Sequence, residues 1–277
     1  MLLQLAYRML GSRAEAEDVV QEAWLRWSAA GTVEQPTAWL RTVVTRLCLD
    51  ELRSARVRRR AHVGPWLPEP LHERDPALGP PEALLLRESA SLALLLLLER
   101  LSPAERAVYV LREAFELPYV EVATAVGRSP AACRQLRARG TAKLAGRPEP
   151  ISGGHQALIE ALLGALAQGD VAAVAALLDA DCTLISDGAG RARSARRPVL
   201  GGDRVARFLD GLARQMPAGT SLEVRSVNGA PAAVLLTAGV ATVVMSCEIR
   251  NGVVLAVSIV VDPEKLGHVT PAVAAPS

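Results

Sequence analysis

Residues 102–143 read SPAERAVYVLREAFELPYVEVATAVGRSPAACRQLRARGTAK, and this stretch decides how the first half of the chain is interpreted. Ser102 and Glu105 have the spacing of a capping box, which predicts the start of one helix. Gly127 supplies a tight turn, and Ser129 is a preferred cap residue for a second helix. Two helices joined by a tight turn are typical of a helix-turn-helix DNA reader.

The second of these helices is predicted to carry a basic outer face. Cys133 and Leu136 are three residues apart and can face the core together. No acidic residue stands between Glu121 and Glu149, so basic side chains here can meet phosphates or base edges without local neutralisation. These basic residues are Arg128, Arg134, Arg137, Arg139, Lys143 and Arg147. An ordinary helical hairpin with a solvated basic face is the alternative.

Length and composition limit the class of protein. The chain has 277 residues, which predicts two or three compact domains. Its net charge is only +2, so the distribution of the charges along the chain has to indicate whether it binds nucleic acid. Its four cysteines are widely spaced, which is unlike the usual zinc, disulfide and redox patterns, so no metal and no cofactor are expected. The apolar run Leu94–Leu98 is too short to span a bilayer. We therefore expect a soluble, cytoplasmic protein without membrane contact.

Changes in composition predict the domain boundaries. Proline and glycine are concentrated in 61–82 and again in 147–154, which indicates two linkers. The first linker carries a tryptophan in the sequence WLPEP, and a large aromatic side chain there is expected to dock on a surface. The predicted segments are helical 1–60, linker 61–82, helix-turn-helix 83–146, linker 147–154, an α+β domain 155–268 and a tail 269–277.

The first 60 residues are predicted to be helical throughout. Ser12 and Glu15 form another capping box, and an apolar stripe follows it at helical spacing. Three tryptophans, Trp24, Trp27 and Trp39, are assigned to the core. Acidic and amide side chains of the same helix are left facing water, and a later helix that begins near Pro36 leads into an arginine cluster.

The C-terminal part changes class. Alanine-rich helices are predicted at His155–Gln168, Val171–Leu178 and Asp203–Arg214. Valine-rich strands follow, and Asn228–Gly229 and Asn251–Gly252 mark tight hairpin turns between them. Strands are expected at 183–186, 222–227, 233–237, 240–249 and 253–261. Helices followed by a strand meander predict an α+β domain with a curved antiparallel sheet.

Several stretches together resemble a known family. AEDVVQEAWLRW, AWLRTVVTRLCLDELRSAR, VGPWLPEP and LERLSPAERAVYVLRE are similar to the extracytoplasmic-function (ECF) sigma factors of bacterial RNA polymerase. Residues 155–266 resemble the SnoaL-like, nuclear-transport-factor-2-like extension of one subgroup. The resemblance implies a multidomain protein with two all-α sigma domains, the second a helix-turn-helix, and a C-terminal α+β domain whose curved sheet forms a cone.

The resemblance also implies partners and site residues. It implies binding to the clamp helices and flap of the polymerase core, and the residues matching the core-binding helix are Asp18, Val19, Gln21 and Glu22. Those matching the element that melts the −10 promoter region are Arg46, Asp50, Arg53, Arg56 and Arg58. Those matching the −35 reader are Arg128, Ser129, Arg134, Gln135 and Arg137. Exposed acids suit a basic partner surface, and basic side chains can follow the DNA backbone.

A third set of matches implies regulation within the chain. In the subgroup, a WLPEP segment and two later motifs are associated with control of the sigma domains by the extension. The matching residues here are Trp66, Leu67, Pro68, Glu69, Pro70, Asp187, Gly188, Gly190 and Arg191. Asp262–Leu266 is similar to the second later motif. Ala189, Arg191 and Asp262 depart from the subgroup's residues. We predict that WLPEP lies against the extension.

Two further departures from the family affect the helices. The first helix begins later than is usual, which predicts a shortened helix. Gly140 interrupts the second helix of the DNA reader at a cost of roughly 1 kcal/mol relative to alanine, so fraying is expected there.

Three alternatives to an autoregulated sigma factor stay open at this point. The C-terminal domain could bind a small apolar ligand as a sensor. It could instead be an isomerase or cyclase with Asp187 as the acid or base, although His155 and His268 are poorly placed to assist it. A conventional repressor or activator would not need residues 12–60.

Overall fold

The computed structural model describes residues 1–61, 64–80, 89–144, 153–190 and 194–269, and the side chains of 55–61 and 153 lie outside that description. The described residues form two compact units. One draws on Met1–Ala61 and Arg74–Arg147, and the other on His62–Glu73 and Pro148–Ser277. We call them the helical unit and the C-terminal unit.

The helical unit consists of short and medium helices. They are α1 (Leu2–Leu10), α2 (Arg13–Ala29), α3 (Pro36–Ala61), α4 (Leu92–Leu98), α5 (Pro103–Glu113), α6 (Tyr119–Val126) and α7 (Pro130–Lys143), with a 3₁₀ turn at Pro76–Leu78. The turn lies in the predicted linker 61–82, and Asp75 caps it by accepting from Ala77 N at 2.8 Å. The predicted helices of 1–60 and the helix-turn-helix are confirmed.

Two buried arginines hold the helical unit together. The guanidinium of Arg8 is fully buried and donates to Ser89 Oγ at 2.6 Å, Ala77 O at 2.9 Å and Leu78 O at 3.0 Å. Arg106 donates to Arg8 O at 3.1 Å. Since a buried charge needs hydrogen-bond partners, these contacts fix α1, α5 and the residues around the 3₁₀ turn against one another.

The helix-turn-helix follows the predicted local rules except at one position. The capping box of Ser102 and Glu105 is formed in both directions, and Gly127 adopts a left-handed conformation with φ of 68°. The prediction of fraying at Gly140 is wrong, because α7 continues to Lys143. Gly140 is buried, and the α7 backbone packs there against the side chains of Leu101 and Glu105.

The assignment of three tryptophans to the core is wrong for Trp24, whose side chain is 58 % exposed. The buried side of α2 is formed by Ala16, Val19 and Ala23, and the residue after Ala23 lies about a quarter turn around the helix. Trp27 lies one turn after Ala23 and is half-buried, and Trp39 is also half-buried.

The C-terminal unit packs helices on one face of a six-stranded sheet. Its strands are β1 (Leu178–Asp187), β2 (Val199–Leu200), β3 (Thr220–Val227), β4 (Ala230–Thr237), β5 (Val240–Arg250) and β6 (Val253–Val260). Its helices are α8 (Gly153–Gln168), α9 (Val171–Ala176), α10 (Gly202–Ala213) and the short α11 (Pro263–Leu266). Leu162, Val205 and Val257 belong to the buried core between the two layers.

The sheet is mixed, so the prediction of an antiparallel sheet is wrong. The strand order is β2-β1-β6-β5-β4-β3, with β1 parallel to β6 and the other pairs antiparallel. The chain leaves β1, forms β2 and α10, and returns as a meander that starts at the far edge. The last strand of that meander therefore lies beside β1 and runs the same way. β1 also starts five residues before the predicted Thr183.

Candidate functional site

The outer face of α7 carries the predicted DNA-contacting side chains. Arg128, Arg134 and Gln135 are exposed. Ser129 is exposed as well, but its hydroxyl accepts from Ala132 N at 3.2 Å, so it caps the helix. Side chains near the N-terminus of such a helix are the ones that reach base edges in the major groove.

Two arginines of α7 are held in place by neighbouring helices. Arg137 Nε donates to Glu113 Oε1 at 2.6 Å, and this hydrogen bond raises the pKa of Arg137. The guanidinium of Arg134 lies 5.5 Å from the ring centre of Tyr119. These contacts orient both side chains before any DNA is bound, although each leaves part of the guanidinium exposed.

A buried carboxylate joins the two ends of the helix-turn-helix. Glu105 accepts from Ser102 N at 2.8 Å and from Lys143 Nζ at 2.7 Å. Burial by itself would raise the pKa of Glu105, but the hydrogen bonds from Lys143 and Ser102 outweigh it and lower the pKa to about 2. The start of α5 is thereby tied to the end of α7.

The predicted −10 residues lie on α3, and part of this helix faces the helix-turn-helix. Arg46 Nη2 donates to Thr124 O at 3.3 Å, and Arg41 forms an ion pair with Glu121. Asp50 and Arg53 are exposed and pair with each other at 2.7 Å. The side chains of Arg56 and Arg58 lie outside the described residues. Basic groups of α3 thus contact α6 within the helical unit.

The exposed face of α2 combines polar and apolar side chains. Asp18 and Gln21 are exposed, and Glu22 pairs with Arg26 at 2.8 Å. Val19 faces inward and is only 7 % exposed, because it lies on the buried side with Ala16 and Ala23. Sequence reasoning missed Leu25, which is 58 % exposed like Trp24. A large apolar pair beside acids is typical of a protein-binding surface.

The WLPEP segment is held by the C-terminal unit through the backbone of Leu67. Its N–H donates to Asp187 Oδ2 at 2.8 Å, and its carbonyl accepts from Lys265 Nζ at 2.6 Å. Lys265 also donates to Asp187 Oδ2 at 2.6 Å and lies 4.4 Å from the ring centre of Trp66. Asp187 is fully buried. We call Trp66, Leu67, Asp187 and Lys265 the clasp.

The residues after Leu67 continue along the same unit. Pro68, Glu69 and Pro70 are buried, and Glu69 Oε1 lies 3.5 Å from His268 Nε2. Leu71 N donates to Asn228 Oδ1 at 2.8 Å. Sequence reasoning interpreted Asn228 only as a turn residue and did not select Lys265, although Lys265 lies in the Asp262–Leu266 stretch already noted.

The loop after β1 shows why the motif needs small residues. A Cβ on Gly188 would lie 2.7 Å from Ser194 Oγ and 3.0 Å from Val261 Cγ2, so the close approach needs glycine. Ala189 has a positive φ of 49°, in the left-handed region that disfavours a side chain, and Gly190 has a φ of 73°. Arg191 lies outside the described residues.

A cavity of about 870 Å³ opens between α8, α10 and the sheet of the C-terminal unit. Its described lining is mostly apolar. Asp187 does not line it; the neighbouring Ser186 does. The carboxylate suggested for acid–base chemistry therefore faces the clasp. Across the described ranges, no histidine or tyrosine lines the cavity.

The cysteines offer no reactive or metal-binding site. Burial raises the pKa of Cys182 to about 11 and that of Cys247 to about 12, so both thiols stay protonated near neutral pH. Within the part of the chain that the structure describes, no group of three or more histidine, cysteine or carboxylate side chains could hold a metal ion. In the same part, no helix combines the length and apolar character needed to cross a bilayer.

Comparisons with known proteins cover nearly the whole chain. Residues 1–58 match the Sigma-70 region 2 family and residues 91–144 match the Sigma-70, region 4 family. The chain is 40 % identical over 280 residues to the ECF RNA polymerase sigma factor SigJ of Mycobacterium tuberculosis, covering 95 % of this chain and 89 % of that one. SigG of the same organism is 38 % identical over 168 residues, covering 52 % of this chain and 44 % of SigG. The crystal structure of SigJ superposes with a TM-score of 0.78 at 34 % identity, covering 98 % of this chain and 95 % of that one.

Proposed function

Because the chain belongs to the ECF sigma factors of RNA polymerase, we propose that its C-terminal unit regulates it by holding the WLPEP segment in the clasp. The chain is an alternative sigma factor that acts in transcription initiation, and it binds the polymerase core and promoter DNA as its family does. The observation that carries the regulatory proposal is the grip on Leu67 by Asp187 and Lys265.

The clasp is well suited to this role because it binds the linker that connects the two segments that recognise the promoter. WLPEP lies between the region 2 match and the region 4 match. A segment whose backbone is fixed to the C-terminal unit has less freedom to let these two segments separate. Holding or releasing Leu67 would therefore change the spacing that the promoter requires.

Transcription by reconstituted holoenzyme containing the full chain tests the clasp. Trp66→Ala and Asp187→Asn should each change the yield of promoter-specific transcript by about five- to thirtyfold, as a 1–2 kcal/mol shift between two states would. Leu200→Ala is the control, because Leu200 is 57 % exposed on the same unit and has no part in the clasp. Unchanged transcription by both clasp variants would reject the regulatory role.

We assign core-polymerase binding to the α2 face of Asp18, Gln21, Glu22, Trp24 and Leu25, and remove the buried Val19 from it. Trp24→Ser should weaken binding to the core enzyme by about tenfold or more, because exposed aromatic side chains dominate many interfaces. Val240→Ser is the matched control, since Val240 is 61 % exposed on the C-terminal unit. If Trp24→Ser bound the core enzyme as tightly as Val240→Ser, Trp24 would not belong to the core-binding surface.

We assign −35 reading to Arg128, Arg134, Gln135 and Arg137, with Ser129 as the cap. Gln135→Ala should lose about 1–3 kcal/mol of discrimination at one base pair, whereas Arg128→Ala should weaken binding to all sequences and lower its salt dependence. Arg196→Ala, at an exposed arginine of the C-terminal unit, controls for the loss of positive charge.

We assign recognition of the −10 promoter element to all five residues predicted from the sequence, which are Arg46, Asp50, Arg53, Arg56 and Arg58.

The cavity favours binding over catalysis as a second role of the C-terminal unit. Asp187, the candidate acid or base, is engaged by Leu67 and Lys265 and does not line the cavity. We therefore propose a small-ligand sensor in preference to an isomerase or cyclase. No turnover is expected from it.

A further inference from the structure

We propose that the cavity of the C-terminal unit binds one uncharged, largely apolar small molecule that carries a hydroxyl group, and that binding tightens the clasp. The second half of this proposal rests on the proposed regulatory function. The first half does not, because the cavity and its lining stand independently of the linker.

The size and lining of the cavity indicate a ligand with a mostly apolar surface. Its volume of about 870 Å³ lies within the range of sites that enclose drug-sized molecules. Leu163, Leu209, Leu235, Met245 and Ile259 are among the side chains that form its walls. A molecule with a mostly hydrocarbon surface gains free energy by leaving water for such walls.

The carboxylate of Asp210 is not the partner of the ligand's hydroxyl group. Asp210 lines the cavity, and its Oδ2 accepts from Arg214 Nε at 2.8 Å. Its Oδ1 has almost no accessible surface, so a molecule in the cavity does not reach it.

Threonine hydroxyl groups provide the polar partner for the hydroxyl group of the ligand. Thr220 Oγ1 lies 3.3 Å from Thr237 Oγ1, which lies 3.5 Å from Thr242 Oγ1. All three line the cavity. Hydroxyl groups can both donate and accept, so this row accommodates a hydroxyl group of the ligand.

The charges at the cavity disfavour ionised ligands. Asp210 and Arg214 are the charged side chains among the described lining residues, and they neutralise each other. An anion would meet the carboxylate of Asp210, and the side chain of Arg214 is 68 % exposed and lies toward water. A cation would have to give up its hydration among apolar walls for a carboxylate that is already paired.

The cavity wall and the clasp share one strand end. Ser186 and Val261 line the cavity. Asp187 directly follows Ser186, and Val261 N donates to Asp187 O at 2.8 Å. A ligand that packs on Ser186 and Val261 stabilises the ordered conformation of this strand end. Asp187 Oδ2 accepts from Leu67 N at the same strand end, so the ligand also stabilises that hydrogen bond.

Competition with a fluorescent probe tests the ligand class on the full chain. Uncharged N-phenyl-1-naphthylamine reports occupancy, and 1-naphthol, naphthalene, 1-naphthoate and 1-naphthylmethylamine compete with it. We expect 1-naphthol to bind about fivefold more tightly than naphthalene and both ions, which is the size expected of one hydrogen bond between neutral groups. Tighter binding by either ion would overturn the class, and absence of probe binding would overturn the site.

Three variants locate the binding. Leu222→Trp narrows the mouth at a residue that is 38 % exposed and so tolerates a larger side chain, and it should abolish probe binding. Val240→Trp is the control, because Val240 lies on the same sheet outside the cavity lining and should bind normally. Thr237→Val should remove the preference for 1-naphthol over naphthalene, because Thr237 is the middle member of the threonine row. Normal binding by Leu222→Trp, with its fold verified by circular dichroism, would refute the location.

Hydrogen exchange of the Leu67 amide tests whether ligand binding tightens the clasp. Saturating 1-naphthol should slow exchange of the Leu67 amide by at least about threefold, and exchange in α7 serves as an internal reference. Unchanged or faster exchange at Leu67, with 1-naphthol bound, would refute the coupling and leave the binding site intact. Failure of the regulatory function would appear separately, as wild-type transcription by Trp66→Ala and Asp187→Asn.

Discussion

Replacing Asp187 by asparagine removes the charge from the centre of the clasp and keeps the shape of the side chain. Asparagine can still accept from Leu67 N, which lies 2.8 Å from Asp187 Oδ2. Lys265 loses its carboxylate partner while its side chain is only 13 % exposed. The substitution therefore removes the charge of Asp187 from beside a largely desolvated ammonium group.

The expected loss is about 2–4 kcal/mol of unfolding free energy. Removing one partner of a buried ion pair costs about 3–5 kcal/mol, because the remaining charge is desolvated and unpaired. The value is lowered here because Lys265 keeps its hydrogen bond to Leu67 O and its place over the Trp66 ring. Urea unfolding of the C-terminal unit within the full chain, followed by Trp66 fluorescence in a background lacking the other tryptophans, measures it.

A double-mutant cycle with Lys265→Met separates the ion pair from general damage. Methionine keeps most of the apolar stem, so the double variant should be more stable than the sum of the single losses by about 1.5–3 kcal/mol. Asp181→Asn, on an exposed position of the same strand, should cost less than about 0.5 kcal/mol. A coupling below about 0.5 kcal/mol would refute the view that Asp187 and Lys265 act as a buried pair.

Three further predictions concern the two units separately. The pKa of Glu105 is lowered to about 2 in the folded state, so its ionised carboxylate stabilises the fold fully above the ordinary pKa of 4.5, and this stabilisation is lost as the pH falls towards 2. In urea unfolding of the helical unit, Glu105→Gln should therefore reduce the loss of unfolding free energy at acid pH. Ala189→Gly should raise the unfolding free energy of the C-terminal unit by about 0.5–1 kcal/mol, since φ is 49°, and a loss of stability would contradict it. Arg41→Ala with Glu121→Ala should show a coupling below about 1 kcal/mol that vanishes in high salt, because Glu121 is 44 % exposed; a large salt-independent coupling would contradict this.

The helical half of the fold was predictable because its signals are local. The capping box at Ser102, the turn at Gly127 and the cap at Ser129 each act within a few residues, and all three form as expected. Gly140 shows the limit of such reasoning. Its cost in an isolated helix is real, but packing against Leu101 and Glu105 keeps α7 continuous to Lys143.

The sheet and the exposed tryptophan depended on tertiary structure. Nothing in the local sequence tells whether β1 lies beside β2 alone or also beside β6, since that follows from where the meander ends. Trp24 fits a helical apolar stripe, but three small or medium residues already cover the buried side of α2. Its exposure depends on which side of α2 packs against the other helices, and the spacing of apolar residues does not reveal that.

The proposed regulation requires a clasp that is sensitive to substitution and can still release its segment. Asp187 and Lys265 both bind the backbone of Leu67; Asp187 is fully buried, and the side chain of Lys265 is 13 % exposed. In the proposed release, both charges regain water together, so much of the desolvation cost of burying them is recovered. Removing either charge alone gives no such recovery. The net free energy of holding the segment is therefore much smaller than the loss measured for Asp187→Asn, which is what a reversible switch requires.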